Sequence, residues 1–491
     1  MSETVTTYGV GAGAEALRLS RRIPPDRLQH WSSPFAAKRV HLIGIGGCGM
    51  SGLAGVLSRC GAFVSGSDMV TCGEFARLEE MGAVIRIGQA PINIPSDCNY
   101  VVYSAAVKDN NPELAEARRR GLRCLKYAEM LGQVMRQRTG IAVAGTHGKS
   151  TTTALVAYIL RMAKADPTFV VGAQVTQLGG GCGVGDGDHF VVEACEYDRS
   201  FLNLYPHFAA LLNIEEDHLD CYSGLPAIVE AFREFAGRVP ADGVIIANGE
   251  DFTVRQAVQG LAAPVETFGL GEDAFWRATD VRRVRGCYSF NIQRGGQFLL
   301  RVSLDHLPGR HQVGNALAAA ALAHHAKIDP AVIAESLSTF AGAQRRLTER
   351  GEVGGILLLD DYGHHPTEIR VTLRAVREHY PDRRLWVVFQ PHQHSRTRCL
   401  LEDFAKSFGH ADHLLVPEIY FVRDSESERS TINSGNLVDR VRACGVDALY
   451  LPKHGQIVDY VAGHAKPGDV IITMGAGDVW KIGDELVRRL A

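Results

Sequence analysis

Two glycine-rich loops constrain this chain more than any other feature. They are Gly44-Ile45-Gly46-Gly47-Cys48-Gly49 and Gly145-Thr146-His147-Gly148-Lys149-Ser150, and each lies between a short apolar run and a helix-length segment. Glycine permits a tight turn there and lets backbone N–H groups approach phosphate oxygens at the start of a helix. The sequence therefore predicts strand–loop–helix units, two of which are built to bind phosphate.

Short apolar runs alternate with amphipathic segments from Arg39 onward, which is typical of βαβ units with parallel sheets. Strands are predicted at residues 40–44, 62–64, 100–103, 141–144, 190–193, 208–213, 356–359, 385–389 and 470–473. The alternating pattern within 270–305, as at 288–292, predicts an antiparallel edge.

The predicted fold class is α/β, with three domains in series. These are a Rossmann-like N-terminal domain, a P-loop-type central ATPase domain and a Rossmann-like C-terminal domain, which suits a length of 491 residues. Residues 1–37 are expected to be a leader that is poorly ordered or loosely docked. The predicted domain bounds are 38–138, 139–346 and 347–491.

Composition excludes several classes of protein. The net charge of −3 argues against a nucleic-acid coat, and no apolar run is long enough to span a membrane. The first 20 residues lack the pattern of a secretory signal. The 11 cysteines are scattered without a CxxC pair, so neither a zinc ribbon nor a disulfide framework is expected. These features favour a reducing, cytoplasmic location.

The first loop is followed by Asp68, which ends the next predicted strand at a distance suited to an acid that meets a ribose hydroxyl. The motif recognises a pyrophosphate, so both NAD and a UDP-sugar remain possible ligands. The alternative is a structural turn without a ligand.

The second loop is a shortened P-loop, because Val143 stands where the first glycine would fall. Lys149 is expected to reach the β- and γ-phosphates of ATP, and the Ser150 hydroxyl to bind Mg²⁺. Thr151 continues into the helix. The alternative is a capped helix with an exposed lysine. A dehydrogenase needs only the first loop and a kinase only the second, so the pair indicates an enzyme that handles a nucleotide-linked substrate and hydrolyses ATP.

Polar residues follow the strands that should lie beside the P-loop. Glu193 ends one such strand, where a carboxylate suits Mg²⁺, and Glu196 and Asp198 come shortly after. A solvated acidic loop is the alternative. His218 lies among carboxylates just after another strand, so we expect it to be functional.

The later part of the chain offers further candidates. Asn315 precedes an alanine-rich helix and is placed to contact an adenine edge or to cap the helix. Arg345 and Arg346 lie at a domain junction, where they either contact a phosphate or form a surface pair.

Two polar clusters, residues 360–368 and 390–398, each follow a strand and predict one wall of a cleft. His364 and Arg396 are the functional candidates there. His324, His325 and His365 are expected to serve surface or helix packing.

Taken together, these motifs resemble those of the Mur ligases of peptidoglycan precursor synthesis, from about residue 38 to the end. The stretches that carry the resemblance are His41–Gly52, Gly145–Thr152, Asn213–Asp220, Asp361–Glu368 and Gly475–Asp478. Their joint occurrence in this order is far more specific than any one of them.

The resemblance implies an ATP-dependent ligase that uses Mg²⁺ and joins L-alanine to the carboxylate of UDP-N-acetylmuramate. ATP would phosphorylate the lactyl carboxylate, and the amine would displace phosphate from the acyl phosphate. A closing domain would shield that intermediate from water. No nucleic acid partner and no membrane span are expected, and the enzyme would be a monomer or a homodimer.

The resemblance also assigns roles to residues. Catalytic residues would be Lys149, His218, His364 and Arg396. Residues that bind the UDP-sugar would be Gly44, Gly46, Gly47, Gly49, Ser67, Asp68 and Ser104. Residues that bind ATP would be Gly145, Thr146, His147, Gly148, Lys149, Ser150, Thr151, Asn315, Arg346 and Asp361, with Tyr362 nearby. Metal ligands would be Ser150, Glu193 and His218.

One departure from the family pattern concerns the amino-acid pocket. Gln393 stands where these proteins usually have arginine, which leaves Arg396 to contact the amino-acid carboxylate. The alternatives are a ligase that attaches a recycled tripeptide to the same sugar nucleotide, a non-catalytic nucleotide-binding regulator of the same fold, and an NAD-dependent oxidoreductase. A regulator would be expected to lose Lys149, Glu193 or His218, and an oxidoreductase has no use for the second loop.

Overall fold

The computed structural model describes residues 33–490. By compactness the chain divides into a first unit that ends at Tyr127 and a second that begins at Ala128. Within the described range, three sheets organise the fold: one of five strands in the first unit, and one of ten and one of six in the second. This confirms the predicted α/β class with domains in series, while the predicted domain bounds stay a prediction.

The first sheet is parallel, in the order β3-β2-β1-β4-β5. Its strands are β1 (Arg39–Ile43), β2 (Phe63–Asp68), β3 (Val84–Ile87), β4 (Tyr100–Tyr103) and β5 (Arg123–Lys126). Its helices are α1 (Cys48–Arg59), α2 (Glu74–Glu80) and α3 (Pro112–Arg119), with a 3₁₀ turn at Pro91–Asn93. Strand order reverses beside β1, so the first glycine loop lies at the switch point where such sheets bind ligands.

Most of the predicted leader, residues 1–32, lies outside the described residues. Residues 33–37 form a turn against the first sheet, where Ala37 N donates to Gly61 O at 2.8 Å. The buried Phe35 ring packs edge-on against Tyr100, with 5.9 Å between ring centroids. The end of the predicted leader therefore contributes to the core of the first unit.

A fully buried carboxylate joins the strands of the first unit to α3. Glu113 accepts hydrogen bonds from the side chains of Ser67 (2.6 Å) and Asn93 (2.6 Å) and from Ala90 N (3.1 Å), and it lies 3.2 Å from His41 Nε2. Burial raises its pKa, but these partners outweigh burial and hold the pKa below its usual value.

The ten-stranded sheet has the order β15-β14-β13-β12-β11-β10-β6-β9-β7-β8. Its strands are β6 (Thr139–Ala144), β7 (Thr168–Val170), β8 (Cys182–Gly183), β9 (His189–Ala194), β10 (Phe208–Leu211), β11 (Val244–Asn248), β12 (Val265–Gly269), β13 (Trp276–Val284), β14 (Cys287–Arg294) and β15 (Gln297–Leu304). The strands around β6 are parallel, whereas β13–β15 pair antiparallel, which confirms the predicted antiparallel edge.

The helices of this region are α4 (Tyr127–Met135), α5 (Lys149–Met162), α6 (Leu225–Ala236), α7 (Phe252–Val258), α8 (His311–His325) and α9 (Pro330–Thr339), with 3₁₀ segments at Thr176–Leu178 and Tyr197–Asn203. The side chains of Ala316–Ala323 in α8 are completely buried. Small side chains let this helix lie close to its neighbours, so its main role is packing.

The six-stranded sheet has the order β16-β17-β21-β18-β19-β20 and is parallel except for β16. Its strands are β16 (Thr348–Val353), β17 (Ile356–Asp361), β18 (Leu385–Phe389), β19 (His413–Val416), β20 (Asp447–Tyr450) and β21 (Val470–Met474). Its helices are α10 (Pro366–His379), α11 (His394–Cys399), α12 (Leu401–Ala405), α13 (Glu426–Arg429), α14 (Ser434–Ala443), α15 (His454–His464) and α16 (Trp480–Leu490). Both predicted polar clusters follow strands of this sheet, β17 and β18.

No helix within residues 33–490 combines the length and the apolar character needed to cross a membrane.

Replacement of Glu113 by alanine should destabilise the first unit by about 3 kcal/mol or more, because several buried donors would lose their acceptor. Calorimetric unfolding measures the change. The Glu113 contribution is present above its ordinary pKa of 4.5 and is lost as the pH falls. Glu116→Ala on the same helix is the control, since Glu116 pairs with Arg119 and Arg120 at the surface. Equal effects of the two substitutions would contradict this account.

Candidate functional site

The first glycine loop is held against the end of β2. Gly44 has φ +81°, and the N–H groups of Gly44 and Ile45 donate to Ser67 O at 2.8 and 3.0 Å. Gly46 N donates to Asp68 Oδ2 at 2.8 Å, and a Cβ on Gly46 would lie only 2.9 Å from that oxygen. Glycine is therefore required for the contact by which Asp68 fixes the loop.

The two predicted serines of the first unit differ in what they face. Ser67 is completely buried and its hydroxyl donates to Glu113, so its side chain supports the loop from behind. This burial speaks against direct contact of the Ser67 hydroxyl with a sugar nucleotide. Ser104 Oγ lies beside the loop, 3.5 Å from where a Cβ on Gly44 would be. The remaining glycines, Gly47 and Gly49, lie at the start of α1 as predicted.

The second loop joins β6 to α5 and places Lys149 at the helix N-terminus. Gly148 has φ +80°, and a Cβ there would lie 2.6 Å from Asn315 Oδ1. Lys149 Nζ donates to Gly145 O (2.6 Å), Thr146 O (3.0 Å) and Glu196 Oε1 (2.9 Å). Burial lowers the pKa of Lys149, but the Glu196 carboxylate outweighs burial and keeps the pKa above its usual value. The Lys149 side chain is thus protonated, and its ammonium group is held in a fixed direction.

Asn213 fastens the second loop to the segment after β10. Its Oδ1 accepts from His147 N at 2.7 Å and its Nδ2 donates to His147 O at 3.1 Å. Thr146 Oγ1 accepts from Glu215 N at 2.9 Å. The Asn213–Asp220 motif is therefore part of the phosphate loop in space, although His147 and Asn213 are 66 residues apart in sequence.

The partner of Lys149 is the main residue that sequence reasoning underrated. Glu196 is buried, and its Oε2 has no hydrogen-bond partner among the described residues. Glu193, the predicted metal ligand, lies on β9 and accepts from Gly172 N at 2.7 Å. A Cβ on Gly172 would lie 2.7 Å from Glu193 Oε2, so glycine makes room for that carboxylate. Glu193 and Glu196 are therefore held by the protein beside the second loop, whereas Asp198 is exposed to solvent.

His218 is held in a strained backbone conformation, with φ +53°. Its Nε2 lies 3.7 Å from Glu196 Oε1, and its ring meets that of Tyr197 edge-on at 5.1 Å. Its buried Nδ1 has no hydrogen-bond partner within residues 33–490. Burial lowers the pKa of His218 below its usual value, so the imidazole is neutral at pH 7.

The buried Asp217 binds Arg396 from the C-terminal sheet. Arg396 Nε and Nη2 lie 3.0 and 2.9 Å from Asp217 Oδ1, and Nη1 donates toward His392. Burial raises the pKa of Asp217, but the Arg396 charge outweighs it and holds the pKa far below its usual range. The structure thus pairs Arg396 with a carboxylate of the protein itself, while its predicted contact with substrate stays a prediction.

The segment that links the middle and C-terminal sheets also reaches the phosphate loop. Arg346 Nη2 donates to Ser150 Oγ at 3.3 Å, and Asp361 accepts from Leu347 N and Gly363 N, each at 2.7 Å. Burial raises the pKa of Asp361 to about 6. Arg346 also lies over the Tyr362 ring, 5.2 Å from its centroid. The structure therefore gathers the predicted ATP-binding residues of both sheets in one place.

His364 is an uncharged imidazole at the same edge. Burial lowers its pKa to about 4. Its Nδ1 lies 3.2 Å from Tyr362 O, which can only accept, so Nδ1 carries the proton and Nε2 is left as an acceptor.

His365 does more than pack a helix. It caps α10 by accepting from Thr367 N at 3.3 Å, and its Nε2 lies 3.2 Å from Glu216 O of the middle domain. Thr367 Oγ1 donates to Glu215 at 2.6 Å. The expectation of a purely local role for His365 was therefore wrong. His324 and His325 pack against Trp276, as expected.

His147 of the phosphate loop lies between two carboxylates. Its Nε2 is 3.4 Å from Glu215 Oε2 and its Nδ1 is 3.4 Å from Glu368 Oε1. Burial lowers the pKa of His147, but these acids outweigh burial and raise the pKa to about 9. Glu368 comes from α10, so a charged histidine joins the phosphate loop to the C-terminal sheet.

A cavity of about 460 Å³ opens beside the second loop, a volume suited to a nucleotide. Its walls include His147, Gly148 and Thr151 on one side and Arg346 and Asp361 on the other. Asn315 lines it too, but its amide lies against Gly148 and donates to Gln312 at 2.9 Å. Asn315 therefore supports the phosphate loop, and its contact with adenine stays a prediction.

The predicted metal ligands are residue types that can bind Mg²⁺, and their joint binding of the ion stays a prediction. Ser150 offers a hydroxyl, Glu193 a carboxylate, and His218 a neutral imidazole whose buried Nδ1 is unpartnered in the described part of the chain. The unpartnered Glu196 Oε2 adds a buried acceptor nearby. Magnesium prefers oxygen ligands and usually keeps several waters, so few protein ligands suffice.

The charge of His147 should be observable by NMR. Its ring should titrate near pH 9 in the folded protein, whereas that of His364 should titrate near pH 4. Charged His147 stabilises the folded protein through Glu215 and Glu368. This contribution is fully present below pH 6.5 and is lost as the pH rises through about 9. Glu215→Gln should lower the His147 midpoint, and Glu79→Gln is the matched control on an exposed helix. A His147 midpoint near 6.5 would contradict the arrangement.

Comparisons with known proteins agree with this geometry. Residues 39–139 match the catalytic domain of the Mur ligase family, residues 143–323 the Mur ligase middle domain, and residues 345–477 the Mur ligase glutamate ligase domain. A UDP-N-acetylmuramate–L-alanine ligase of Caldanaerobacter subterraneus subsp. tengcongensis is 39% identical over 92% of this chain and 97% of its own length. The ligase of that name from Alkaliphilus metalliredigens is 42% identical over the same shares.

Solved structures give the same picture. The UDP-N-acetylmuramate–alanine ligase of Thermotoga maritima matches with a TM-score of 0.76 and 27% identity, covering 92% of this chain and 98% of that one. A murein peptide ligase of Psychrobacter arcticus matches with a TM-score of 0.69 and 28% identity, covering 92% and 99%. With three consecutive domain matches and relatives about 40% identical over nearly its whole length, the chain belongs to the Mur ligase family.

Proposed function

We propose that this protein is an ATP-dependent ligase that joins L-alanine to the lactyl carboxylate of UDP-N-acetylmuramate, with release of ADP and phosphate, in peptidoglycan precursor synthesis. The observation that carries the proposal is a P-loop lysine, held in place by Glu196, beside a nucleotide-sized cavity. The identity of the substrates is inferred from the names of the relatives, which are UDP-N-acetylmuramate–L-alanine ligases.

Lys149 provides the fixed positive charge for phosphoryl transfer from ATP to the carboxylate. Such transfer depends on positioning and charge neutralisation more than on covalent help from the protein. Gly145, Thr146 and Glu196 orient Nζ at the start of α5, and a bound phosphate would take the place of one of these acceptors.

Ser150, Glu193 and His218 would hold Mg²⁺. The metal neutralises phosphate charge when bound. The strained backbone of His218 and its neighbour Asp217 fix the direction of the imidazole. Glu193 is fixed by Gly172 N.

The C-terminal sheet would close the site over the acyl phosphate. Three contacts already join it to the phosphate-loop region: Arg396 with Asp217, Arg346 with Ser150, and Glu368 with His147. Exclusion of water protects an acyl phosphate from hydrolysis. The neutral His364 offers Nε2 as an acceptor for the attacking amine.

The first unit would bind the UDP part of the sugar nucleotide. Gly44, Gly46, Gly47 and Gly49 form the loop, Asp68 holds it, and Ser104 lies beside it. The cytoplasmic location and the state of monomer or homodimer stay predictions.

Phosphate release from Mg·ATP tests the proposal, with UDP-N-acetylmuramate and either L-alanine, a murein tripeptide or no acceptor. Release that requires both the sugar nucleotide and L-alanine supports it. Release with the tripeptide alone would assign the chain to the murein peptide ligases. No release with any acceptor, from folded protein, would favour a non-catalytic role.

Lys149→Ala should reduce phosphate release by about a thousandfold or more, because the γ-phosphate loses its fixed cation. Lys406→Ala, an exposed lysine after α12, is the control. Turnover of the Lys149 variant within tenfold of the unchanged enzyme would remove Lys149 from the ATP site.

His218→Ala should shift the Mg²⁺ concentration for half-maximal activity upward by about tenfold or more, since a ligand is lost. The measurement is a Mg²⁺ titration at saturating ATP. His464→Ala at the exposed end of α15 should leave the titration unchanged. An unchanged titration for the His218 variant would exclude that residue from the metal site.

A further inference from the structure

The positive side chains around the site are almost all neutralised by carboxylates of the protein. These pairs are Lys149–Glu196, Arg345–Asp360, Arg346–Glu368 and Arg396–Asp217. An amino-acid substrate brings a carboxylate that takes no part in bond formation. That carboxylate needs a cation when it is desolvated, since an unpaired buried charge is very unfavourable.

Arg396 is poorly placed to serve as that cation alone. Its Nε and Nη2 bind Asp217, and its Nη1 is directed at His392. Position 393 holds Gln393, which is buried and carries no charge. The substrate carboxylate therefore needs a cation from another segment.

Arg423 is a cation at this edge without a carboxylate partner. No ion pair joins it to another residue within the described range 33–490. Its guanidinium carbon lies 4.2 Å from the centroid of the Tyr197 ring, and that ring packs against His218. Its charge is also felt at His392, because burial together with the charges of Arg396 and Arg423 lowers the pKa of His392 to about 3.

The position of Arg423 is built into the fold. Tyr420 N donates to Pro391 O at 2.8 Å, and Gln393 N donates to Tyr420 O at 3.1 Å. On the other side, Asp424 accepts from Ser395 Oγ at 2.6 Å. Segment 420–424 thus runs along the segment that carries Gln393 and Arg396. Arg423 itself has φ +64°, a conformation that such residues adopt at an energetic cost.

We propose that Arg423 binds the α-carboxylate of the amino-acid substrate and so selects a free amino acid as the acceptor. The proposal rests on the ligase function given above. A guanidinium suits a carboxylate because its fork of donors matches the two oxygens. The uncharged Gln393 and the engaged Arg396 explain why the cation comes from the neighbouring segment.

Kinetics of Arg423→Met test the proposal. The KM for L-alanine should rise by about tenfold or more, as expected for a lost charge-assisted hydrogen bond, while the KM values for ATP and UDP-N-acetylmuramate should change less than about twofold. The KM of Arg423→Lys for L-alanine should lie between those of the unchanged enzyme and Arg423→Met, because lysine keeps the charge but not the paired donors of the guanidinium. Arg429→Met is the matched control, since Arg429 also lies over a ring, that of Phe421, and pairs with Glu426.

L-Alaninamide separates recognition of the carboxylate from a merely structural role. The unchanged enzyme should strongly prefer L-alanine, measured as the ratio of kcat/KM values for the acid and the amide. Arg423→Met should reduce that ratio by about tenfold or more, whereas a structural defect would slow both substrates alike and leave the ratio intact.

The outcomes distinguish the two proposals. If the unchanged enzyme uses L-alanine but Arg423→Met keeps both its KM and its acid-to-amide ratio, the assignment of Arg423 is wrong and the ligase function stands. If the unchanged enzyme is inactive with L-alanine and active with the tripeptide, the L-alanine ligase proposal is wrong. The proposal for Arg423 then fails with it, because the carboxyl group of the attacking residue is part of a peptide bond.

Discussion

A carboxylate that is removed from water stays charged only when a cation or several hydrogen-bond donors compensate it, and Asp217 meets this requirement through Arg396. The pair joins the segment after β10 to the helix after β18, so two sheets are connected at their carboxyl edges. His218 follows Asp217 directly, and its backbone donates to the same carboxylate. The direction of the imidazole therefore depends on an arginine of the C-terminal sheet, and loss of this pair would disturb a metal-type ligand and an interdomain contact together.

Strand–loop–helix patterns predicted the fold well, because burial on both faces of parallel sheets leaves a plain apolar signature in β1, β6, β17 and β18. The loops were predictable for a different reason. Glycine is needed where a Cβ would collide with a neighbouring side chain, as at Gly46 with Asp68 and at Gly148 with Asn315. The sequence also placed Glu193 at the end of one strand and His218 after another, and both strands pair with β6 as expected. The position of a residue relative to a strand can be predicted because the local pattern of apolar residues shows where each strand ends.

Partnerships between side chains were harder to predict. Glu193 lies at the end of β9 and Glu196 just after it, and nothing in their spacing shows that Glu196 binds Lys149. His365 caps a helix and also reaches Glu216, which requires knowledge of how two distant segments meet. The same holds for the hydroxyl of Ser67, which is turned toward Glu113. Long-range pairing depends on side-chain direction, and sequence reasoning supplies only the residue type.

The contact between Lys149 and Glu196 has a thermodynamic consequence. A phosphate that approaches Lys149 must compete with a carboxylate that already lies 2.9 Å from Nζ, so ligand binding exchanges one ionic partner for another. After the exchange, Glu196 is a buried anion whose charge is no longer compensated by Lys149. Any cation that satisfies it will favour phosphate binding, and by thermodynamic reciprocity phosphate will favour that cation to the same degree. Cooperativity between the two ligands would thus originate in a single displaced ion pair, without any rearrangement of the backbone.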